Sequence, residues 1–576
     1  MKDLWQFFRQ EKKWYILIVF MLVLVDSAQV AIPILTKRAV DAISAQADIS
    51  LVVKYGSYVL AIALFIIIMR YTYNYILRKL VLQLDYDLKT SLFNKYLTLP
   101  KSYFEREEIG DLMARVTNDT RAIRFFLIMG FLGGLDVLLL GVTTFIMMFV
   151  MNPTLAIIVS IPLVLLIPLA LNFGRKIHIY FKNAQRIFGE ITVRVREVIS
   201  GIRVIKAFTR EGFYLKLFKN VNEEYIRENM KLVKLDEFFD PIIDFLIHIS
   251  LFILMLLGGS FIIKGRISMG TLVAFIQYIE ILAWPMMAIG FTISLFQRAR
   301  ASMERIQNVL QTIPEVRDIE PIHIEHIERN INIKNLSFSY PDDDRFILKN
   351  ISLSIHEGEL IGITGPTAGS KSTLLSLLLR VYNPLPDTIF FGETDILKIP
   401  LQALRKNIGY VPQAPFLFGD TLLENIKIGK QDSTIEDVEE AAKIASIYED
   451  IMKLPNRFDT IVGEKGITLS GGERQRVAVA RAILTKRPLM LFDDPLSAVD
   501  TDTEKAIIRN LKTYLETNHI TTLLVSQRVS ALTIMDRVVV LSHGKILEEG
   551  APEKLFDEKG YYFHLYRKQL LEGMGV

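Results

Sequence analysis

Six apolar runs, each long enough to cross about 30 Å of hydrocarbon as a helix of roughly 20 residues, lie before about residue 300 of the chain and nowhere after it. They extend approximately over Trp14–Leu35, Val52–Ile76, Phe125–Met151, Leu155–Leu171, Ile242–Ile263 and Met269–Leu295. Backbone groups in lipid must bond within their own segment, so runs of this kind fold as helices. Only Asn152 and Pro153 separate the third run from the fourth, which predicts a tight hairpin there. The connections after the second and fourth runs are long and charged. Basic residues cluster on that same side: Arg9, Lys12 and Lys13 before the first run, Arg78, Lys79, Arg121 and Arg124 after the second, and many more between Arg175 and Lys234. The positive-inside rule makes that side cytoplasmic and puts both termini there, with Lys37 and Arg38 as a minority on the outer side. A secretory signal is the competing reading of the first run. The run exceeds the usual signal length, and five more follow it.

Composition supports this division. The 576 residues are 51% apolar with a mean hydropathy of +0.31 and contain no cysteine, which excludes disulfides, thiolate zinc sites and cysteine nucleophiles. Lys and Arg number 67 against 63 Asp and Glu, a net +4 that is too dilute over this length to argue for nucleic acid as a partner. The long inner connections, 78–124 and 174–239, carry apolar residues at helical spacing among charges, so they are expected to continue the spanning helices outward and turn back near Glu105–Asp111 and Phe208–Tyr214. From about Val316 the chain becomes polar, with Pro314 and Pro321 close together. A transmembrane domain over 1–315, a linker over 316–329 and a soluble domain over 330–576 are expected. In the last of these, short β-rich runs such as Leu360–Thr364 and Leu489–Phe492 alternate with helical patterns, an α/β signature.

Leu360–Thr364 leads into Gly365-Pro-Thr-Ala-Gly-Ser-Lys-Ser372 and then a helical segment. Strand, Gly-rich loop and helix form the context of a P-loop, in which backbone N–H groups wrap phosphates, Lys371 reaches the β- and γ-phosphates and Ser372 offers its hydroxyl to magnesium. The pattern asks for Gly where this chain has Ser370, with Gly369 one place early. If the backbone at 370 is left-handed, Ser costs on the order of 1 kcal/mol. Asp493 and Asp494 follow a second buried-strand run; the first is placed to hold magnesium and the second to poise an attacking water.

Leu469-Ser-Gly-Gly-Glu-Arg-Gln-Arg476 resembles the signature motif of ATP-binding cassette (ABC) transporters. Tyr340 is similar to that family's adenine-stacking aromatic, Gln413 to its Q-loop glutamine, and Ser497-Ala-Val-Asp500 to its D-loop. Phe104 with Gly110–Asp119, and Gly201–Phe208, resemble the cytoplasmic loops of the type IV exporter fold. The resemblance covers essentially the whole chain. It implies an ATP-driven exporter in which Tyr340, Gly365, Pro366, Thr367, Ala368, Gly369, Ser370, Lys371, Ser372, Thr373 and Gln413 bind ATP. Mg2+ would be held by Ser372, Gln413 and Asp493. Leu469, Ser470, Gly471, Gly472, Glu473 and Gln475 would face the ATP of a second chain, and Asp494, Gln527 and Asp500 would occupy catalytic positions. One P-loop and one signature per chain imply a dimer.

Two departures fall on the hydrolytic side. Asp494 stands where the family has Glu, which leaves the carboxylate about 1–1.5 Å short, and Gln527 replaces the switch histidine. The signature is intact. That division is similar to the degenerate-site subunit of heterodimeric bacterial exporters, and a homodimer hydrolysing with Asp and Gln is the alternative. The expected setting is a bacterial cytoplasmic membrane with the nucleotide-binding domain inside. Acidic groups in apolar runs are costly and tend to face a cavity or a partner, so Asp26, Asp136, Asp244 and Glu280, with Gln277 and Trp284 on the same helical face as Glu280, are candidate contacts for an amphipathic, organic-cation cargo. Bonds to neighbouring helices are the plainer reading of the same acids.

Overall fold

The structure is a computed structural model that describes residues 11–573, apart from 323–326, 342, 344, 367–369 and 464–468. It divides into two compact units, one formed by 1–97 with 109–312 and the other by 98–108 with 313–576.

The first unit contains six helices long and apolar enough to span a membrane, and each contains one of the six apolar runs. They are α1 (Lys12–Ser44), α2 (Ile49–Thr98), α4 (Ile109–Met151), α5 (Pro153–Ser200), α7 (Glu211–Ile263) and α8 (Met269–Gln311). At 1.5 Å per residue, the 50 residues of α2 and 53 of α7 are more than twice as long as a bilayer core requires. The predicted hairpin is present. Asn152 accepts a hydrogen bond from the Leu155 N–H at 3.0 Å and Pro153 opens α5, so the donor that proline lacks is one the first turn does not use. α8 begins against the end of α1: the Gly270 N–H donates to Asp41 Oδ1 at 2.9 Å, and a Cβ at 270 would lie 2.2 Å from the Lys37 carbonyl oxygen. Two π-helical turns, Arg115–Asp119 and Phe126–Phe131, interrupt α4. Asp119, in the first, is buried and accepts from Ser302 and Arg305 of α8 at 2.9 Å each.

The turns come earlier than the sequence predicts. The first is the short helix α3 (Lys101–Arg106), entered at Pro100, which has no N–H to continue α2, and left at Glu107. The second is α6 (Ile202–Ala207), entered at Gly201, with Phe208–Arg210 separating it from α7. Helix-period patterning runs unbroken through both places, so it locates a turn only to within several residues.

The second unit is built on two sheets. Strands β1 (Ile331–Phe338), β2 (Leu348–Ile355), β4 (Ile389–Phe391) and β5 (Thr394–Asp395) form an antiparallel sheet in the order β2-β1-β4-β5. The larger sheet runs β10-β9-β3-β8-β7-β6, with β3 (Leu360–Thr364), β6 (Ile408–Val411), β7 (Leu489–Asp493), β8 (Thr521–Val525) and β9 (Arg537–Ser542) parallel and β10 (Lys545–Gly550) antiparallel at one edge. β3, β7 and β8 are buried at every residue, which is why they read as unbroken apolar runs. Because the strands are parallel, their carboxyl ends share one edge. Gly365, Gln413, Asp493 and Gln527 all lie at or just past those ends, where ligands of open α/β sheets bind.

Candidate functional site

β3 delivers the chain to Gly365, whose φ of +142° only glycine adopts readily and whose missing side chain leaves room for the Leu541 carbonyl. The loop closes at α9 (Lys371–Leu378). Lys371 is buried and donates to the carbonyl oxygens of Gly365 at 3.1 Å and Pro366 at 2.8 Å. Burial lowers its pKa, while Asp494 and Asp493 oppose that effect. The Ser372 hydroxyl donates to Asp493 Oδ1 at 2.8 Å, so the last residue of β7 meets the first turn of α9. Hydroxyl and carboxylate are the hard oxygen donors that Mg2+ takes, and this adjacent pair fits it. Thr367, Ala368 and Gly369 lie outside the described residues.

Ser370 has φ 68° and ψ 15°, so a Cβ-bearing residue stands in the left-handed conformation at the position where the motif asks for Gly. The strain is offset: the Ser370 hydroxyl donates to the Ile347 carbonyl at 2.7 Å. Ser370→Ala keeps the strain and loses the bond, so it is expected to destabilise the nucleotide unit by about 1 kcal/mol. Ser370→Gly removes both and is expected to stay within about 0.5–1 kcal/mol of the parent. Thermal unfolding of both variants checks the pair. An S370G protein clearly more stable than the parent would show the hydroxyl contributes nothing.

Burial raises the pKa of both Asp493 and Asp494; for Asp493 the Ser372 hydroxyl works against this, and for Asp494 the charge of Asp493 adds to it while Arg528 and Lys371 oppose it. Asp494 has φ 47°, a conformation that Asp tolerates better than most residues. Gln527 turns inward: its amide donates to the Gly365 carbonyl at 2.7 Å, so the same oxygen serves Lys371 and Gln527. Gln413 is exposed, two residues past β6, the strand that pairs in parallel with β7. The Tyr340 hydroxyl lies 2.9 Å from Thr373 Oγ1, and its ring stands edge-on to Phe338 and Tyr382 beside a cavity of about 270 Å3.

Ser470 caps α10 (Gly471–Leu484): its hydroxyl accepts from the Glu473 N–H at 3.2 Å, and Glu473 accepts from the Ser470 N–H at 2.7 Å. The helix N-terminus with its free N–H groups is therefore held in a fixed geometry. A Cβ at Gly472 would sit 2.9 Å from the Ala498 carbonyl oxygen, so glycine admits the Ser497–Asp500 loop onto the helix. Leu469 is half-buried against the core. Gln475, grouped by sequence with residues facing a second chain's ATP, is 3% exposed, donates to Ser497 Oγ at 2.8 Å and accepts from the Ala498 N–H at 2.9 Å. It ties the signature helix to its own chain's loop, because in the helix it falls on the inward face. Asp500 caps α11 (Thr501–Thr517), accepting from the Thr503 N–H at 3.0 Å, which lowers its pKa.

Several site-supporting residues escaped the sequence reading. Gln569 of α12 (Tyr561–Gly573) donates to the Gln527 carbonyl at 2.6 Å and accepts from the Val529 N–H at 2.9 Å. Arg528 pairs with the buried Glu504 and donates to the Ser497 and Val499 carbonyls. The Tyr382 hydroxyl donates to Glu105 of α3, whose pKa falls because that bond and Lys101 outweigh burial. In the first unit a cavity of about 740 Å3 is lined by Asp136, Glu280 and Trp284 together with Gln29, Arg70 and Tyr73. Arg70, a cation inside an apolar run, was the available signal. Asp26, Asp244 and Gln277 do not line this cavity; Asp244 is exposed on α7.

The family models for the ABC transporter transmembrane region and the ABC transporter domain match residues 15–286 and 348–497. The multidrug resistance-like ATP-binding protein MdlA of Escherichia coli (strain K12) is 33% identical over 571 residues, 98% of this chain and 96% of that one. The ATP-dependent lipid A-core flippase of Syntrophus aciditrophicus (strain SB) is 32% identical over 487 residues, 84% of this chain and 80% of that one. A bacterial Atm1-family ABC exporter solved with ATP bound shares the fold at a TM-score of 0.78 and 24% identity, covering 97% of this chain and 98% of the other. With the P-loop, the Ser372–Asp493 pair and the capped signature helix on one sheet scaffold and six spanning helices before them, the chain belongs to the ABC transporters, as a multidrug-resistance-like exporter that couples ATP hydrolysis to transport.

Proposed function

We propose that this chain is one subunit of a heterodimeric exporter and carries its degenerate ATP site. The observation that carries the reading is the pairing of Asp494 with a Gln527 whose amide is held on the P-loop carbonyl of Gly365. An amide nitrogen has no basic lone pair, and a shortened carboxylate positions water less well; general-base positioning is commonly worth about 10²–10⁴ in rate. ATP and Mg2+ would therefore bind through Lys371, Ser372, Thr373, Asp493, Gln413 and Tyr340 and turn over slowly. The capped N-terminus of α10, with Ser470 and Gly471, would complete the competent site of the partner. Residues 1–315 would form the transmembrane domain, 316–329 the linker and 330–576 the nucleotide-binding domain, with both termini on the cytoplasmic side of a bacterial cytoplasmic membrane.

Steady-state ATPase of the chain purified alone, beside the chain co-expressed with a second half-transporter, tests this. Slow turnover alone, restored by the partner and lost when the partner's catalytic Glu is substituted, is the expected result. Robust turnover by the isolated chain removes the heterodimer. The cavity bearing Asp136, Glu280 and Trp284 favours amphipathic drugs as cargo. A lipid or peptide cargo is the second reading, supported by the flippase relative, and drug-stimulated against lipid-stimulated ATPase in defined bilayers separates them. A regulatory ATP-binding protein or gated channel would show no ATP-dependent accumulation in inverted vesicles.

A further inference from the structure

Helix α12 is fixed at its start: Glu548 of β10 accepts from the backbone N–H groups of Tyr561 and Tyr562, and a Cβ at Gly560 would collide with that carboxylate. Tyr562 is buried, and Leu565 packs against the same core. Four residues on from Leu565, Gln569 therefore leaves the helix on its inward side. There it meets the segment that follows β8.

That segment, Ser526–Val529, is held by a set of separate bonds. The Ser526 N–H donates to the Ile363 carbonyl of β3 at 3.0 Å, and the Ser526 hydroxyl accepts from the Arg528 N–H at 2.9 Å. Gln569 supplies two more: its amide donates to the Gln527 carbonyl at 2.6 Å, and its oxygen accepts from the Val529 N–H at 2.9 Å. Val529 opens the short helical turn Val529–Leu532, whose N-cap, Arg528, makes no capping bond with its own side chain. Gln569 thus satisfies an N–H of that turn from another element. By gripping the main chain at 527 and 529, one residue of α12 sets the direction in which the Gln527 side chain departs.

That side chain reaches the phosphate loop. Gln527 Nε2 donates to the Gly365 carbonyl at 2.7 Å, and Lys371 donates to the same oxygen at 3.1 Å. A carbonyl oxygen has two lone pairs, so this one is fully used. Gly365, at φ +142°, has more conformational freedom to lose than any residue with a side chain. Fixing its peptide before ATP arrives removes an ordering cost that binding would otherwise carry.

We propose that Gln569 is a positioning residue for the ATP site: through the main chain at 527 and 529 it holds the Gln527 amide on the Gly365 carbonyl, and so keeps the first residue of the phosphate loop in the conformation that receives ATP. Helix α12 thereby sets nucleotide affinity, and Gln569 acts on ATP only through Gln527. The inference rests on the ATP-binding part of the reading above and is independent of whether the assembly is a heterodimer. It gives Gln527 a use that requires no base.

The test is photolabelling with 8-azido-ATP and Mg2+ on ice, on the full-length chain in the assembly in which it purifies, with the chains separated before the label is counted. Displacement by unlabelled ATP gives an apparent Kd for this chain. Gln569→Ala and Gln527→Ala are each expected to raise that Kd by about 3–10-fold, the worth of one net hydrogen bond. The double variant should bind no more weakly than the weaker single, because without the side chain at 527 nothing is left to position. Gln569→Glu keeps the acceptor for Val529 but, once ionised, has no donor for the Gln527 carbonyl, so it should behave as Gln569→Ala. Losses that add in the double variant would mean that Gln569 acts on the fold at large, and the proposal would go. An unchanged Kd in Gln527→Ala overturns it even if no variant at 569 folds, and so does a Gln569→Ala protein that melts lower but binds ATP as the parent does. In those cases the parent still takes the label and ATP binding stands; a parent that takes no label displaced by ATP sinks the ATP-binding reading and the proposal with it.

Discussion

Asp494→Glu combined with Gln527→His is expected to raise ATP turnover of the chain purified alone by about 10²-fold. The added methylene restores the reach that Asp494 lacks, and an imidazole at 527 can carry a proton where the amide cannot. In the parent, Asp494 is held by burial above the usual carboxylate range and further raised by Asp493, so its environment already suits a base; what it lacks is position. Gln527 is fixed on the Gly365 carbonyl, and its own carbonyl is fixed by Gln569. Each single substitution should therefore give less than its share of the double, as groups acting on one water do. Glu fits the left-handed backbone at 494 less well than Asp, so stability should fall by roughly 1 kcal/mol while turnover rises. Single-turnover and steady-state assays with a thermal melt measure both. An unchanged rate in the double variant would mean that hydrolysis is limited elsewhere, and the degenerate-site reading would go.

The second large effect concerns the same loop and the fold itself. Gly365→Ala should destabilise the nucleotide unit by more than about 4 kcal/mol, among the largest effects a single substitution produces. The new Cβ would lie 1.9 Å from the Leu541 carbonyl oxygen, and that oxygen belongs to β9, which pairs in parallel with β3 directly behind the loop. Neither backbone can retreat without breaking the ladder, and φ +142° is itself closed to alanine. The Gly365 carbonyl also receives Lys371 and Gln527, so any shift that relieves the clash disturbs both. Gly419→Ala, at a glycine with no neighbour within 4 Å and no positive φ, is the control and should stay within about 0.5 kcal/mol. Thermal unfolding of the two variants decides it; a G365A protein melting with the parent would show that the loop adopts another path.

The six spans, the hairpin at Asn152–Pro153 and the strand–loop–helix at 360–378 were legible in the sequence because each depends on local chemistry. Apolar length sets a span, a capping side chain and a proline set a helix start, and glycines with a lysine set a phosphate loop. Even the strain at Ser370 follows from one residue standing in a glycine's place. What joined these pieces was not local. That Gln475 reaches inward to Ser497 and Ala498, that Gln569 reaches across 42 positions to Gln527, and that Arg528 is held by Glu504 depend on which faces meet in the packed sheet and helices. The same holds in the membrane unit. That Asp26, Asp136, Asp244, Gln277, Glu280 and Trp284 are polar or aromatic groups within or beside apolar helices is plain from the order of residues; that Asp136, Glu280, Trp284 and Arg70 line one cavity, and that Asp26, Asp244 and Gln277 do not, depends on how the helices pack. Helical periodicity gives the angle at which a side chain leaves its own helix, but the packing of four helices determines what stands opposite.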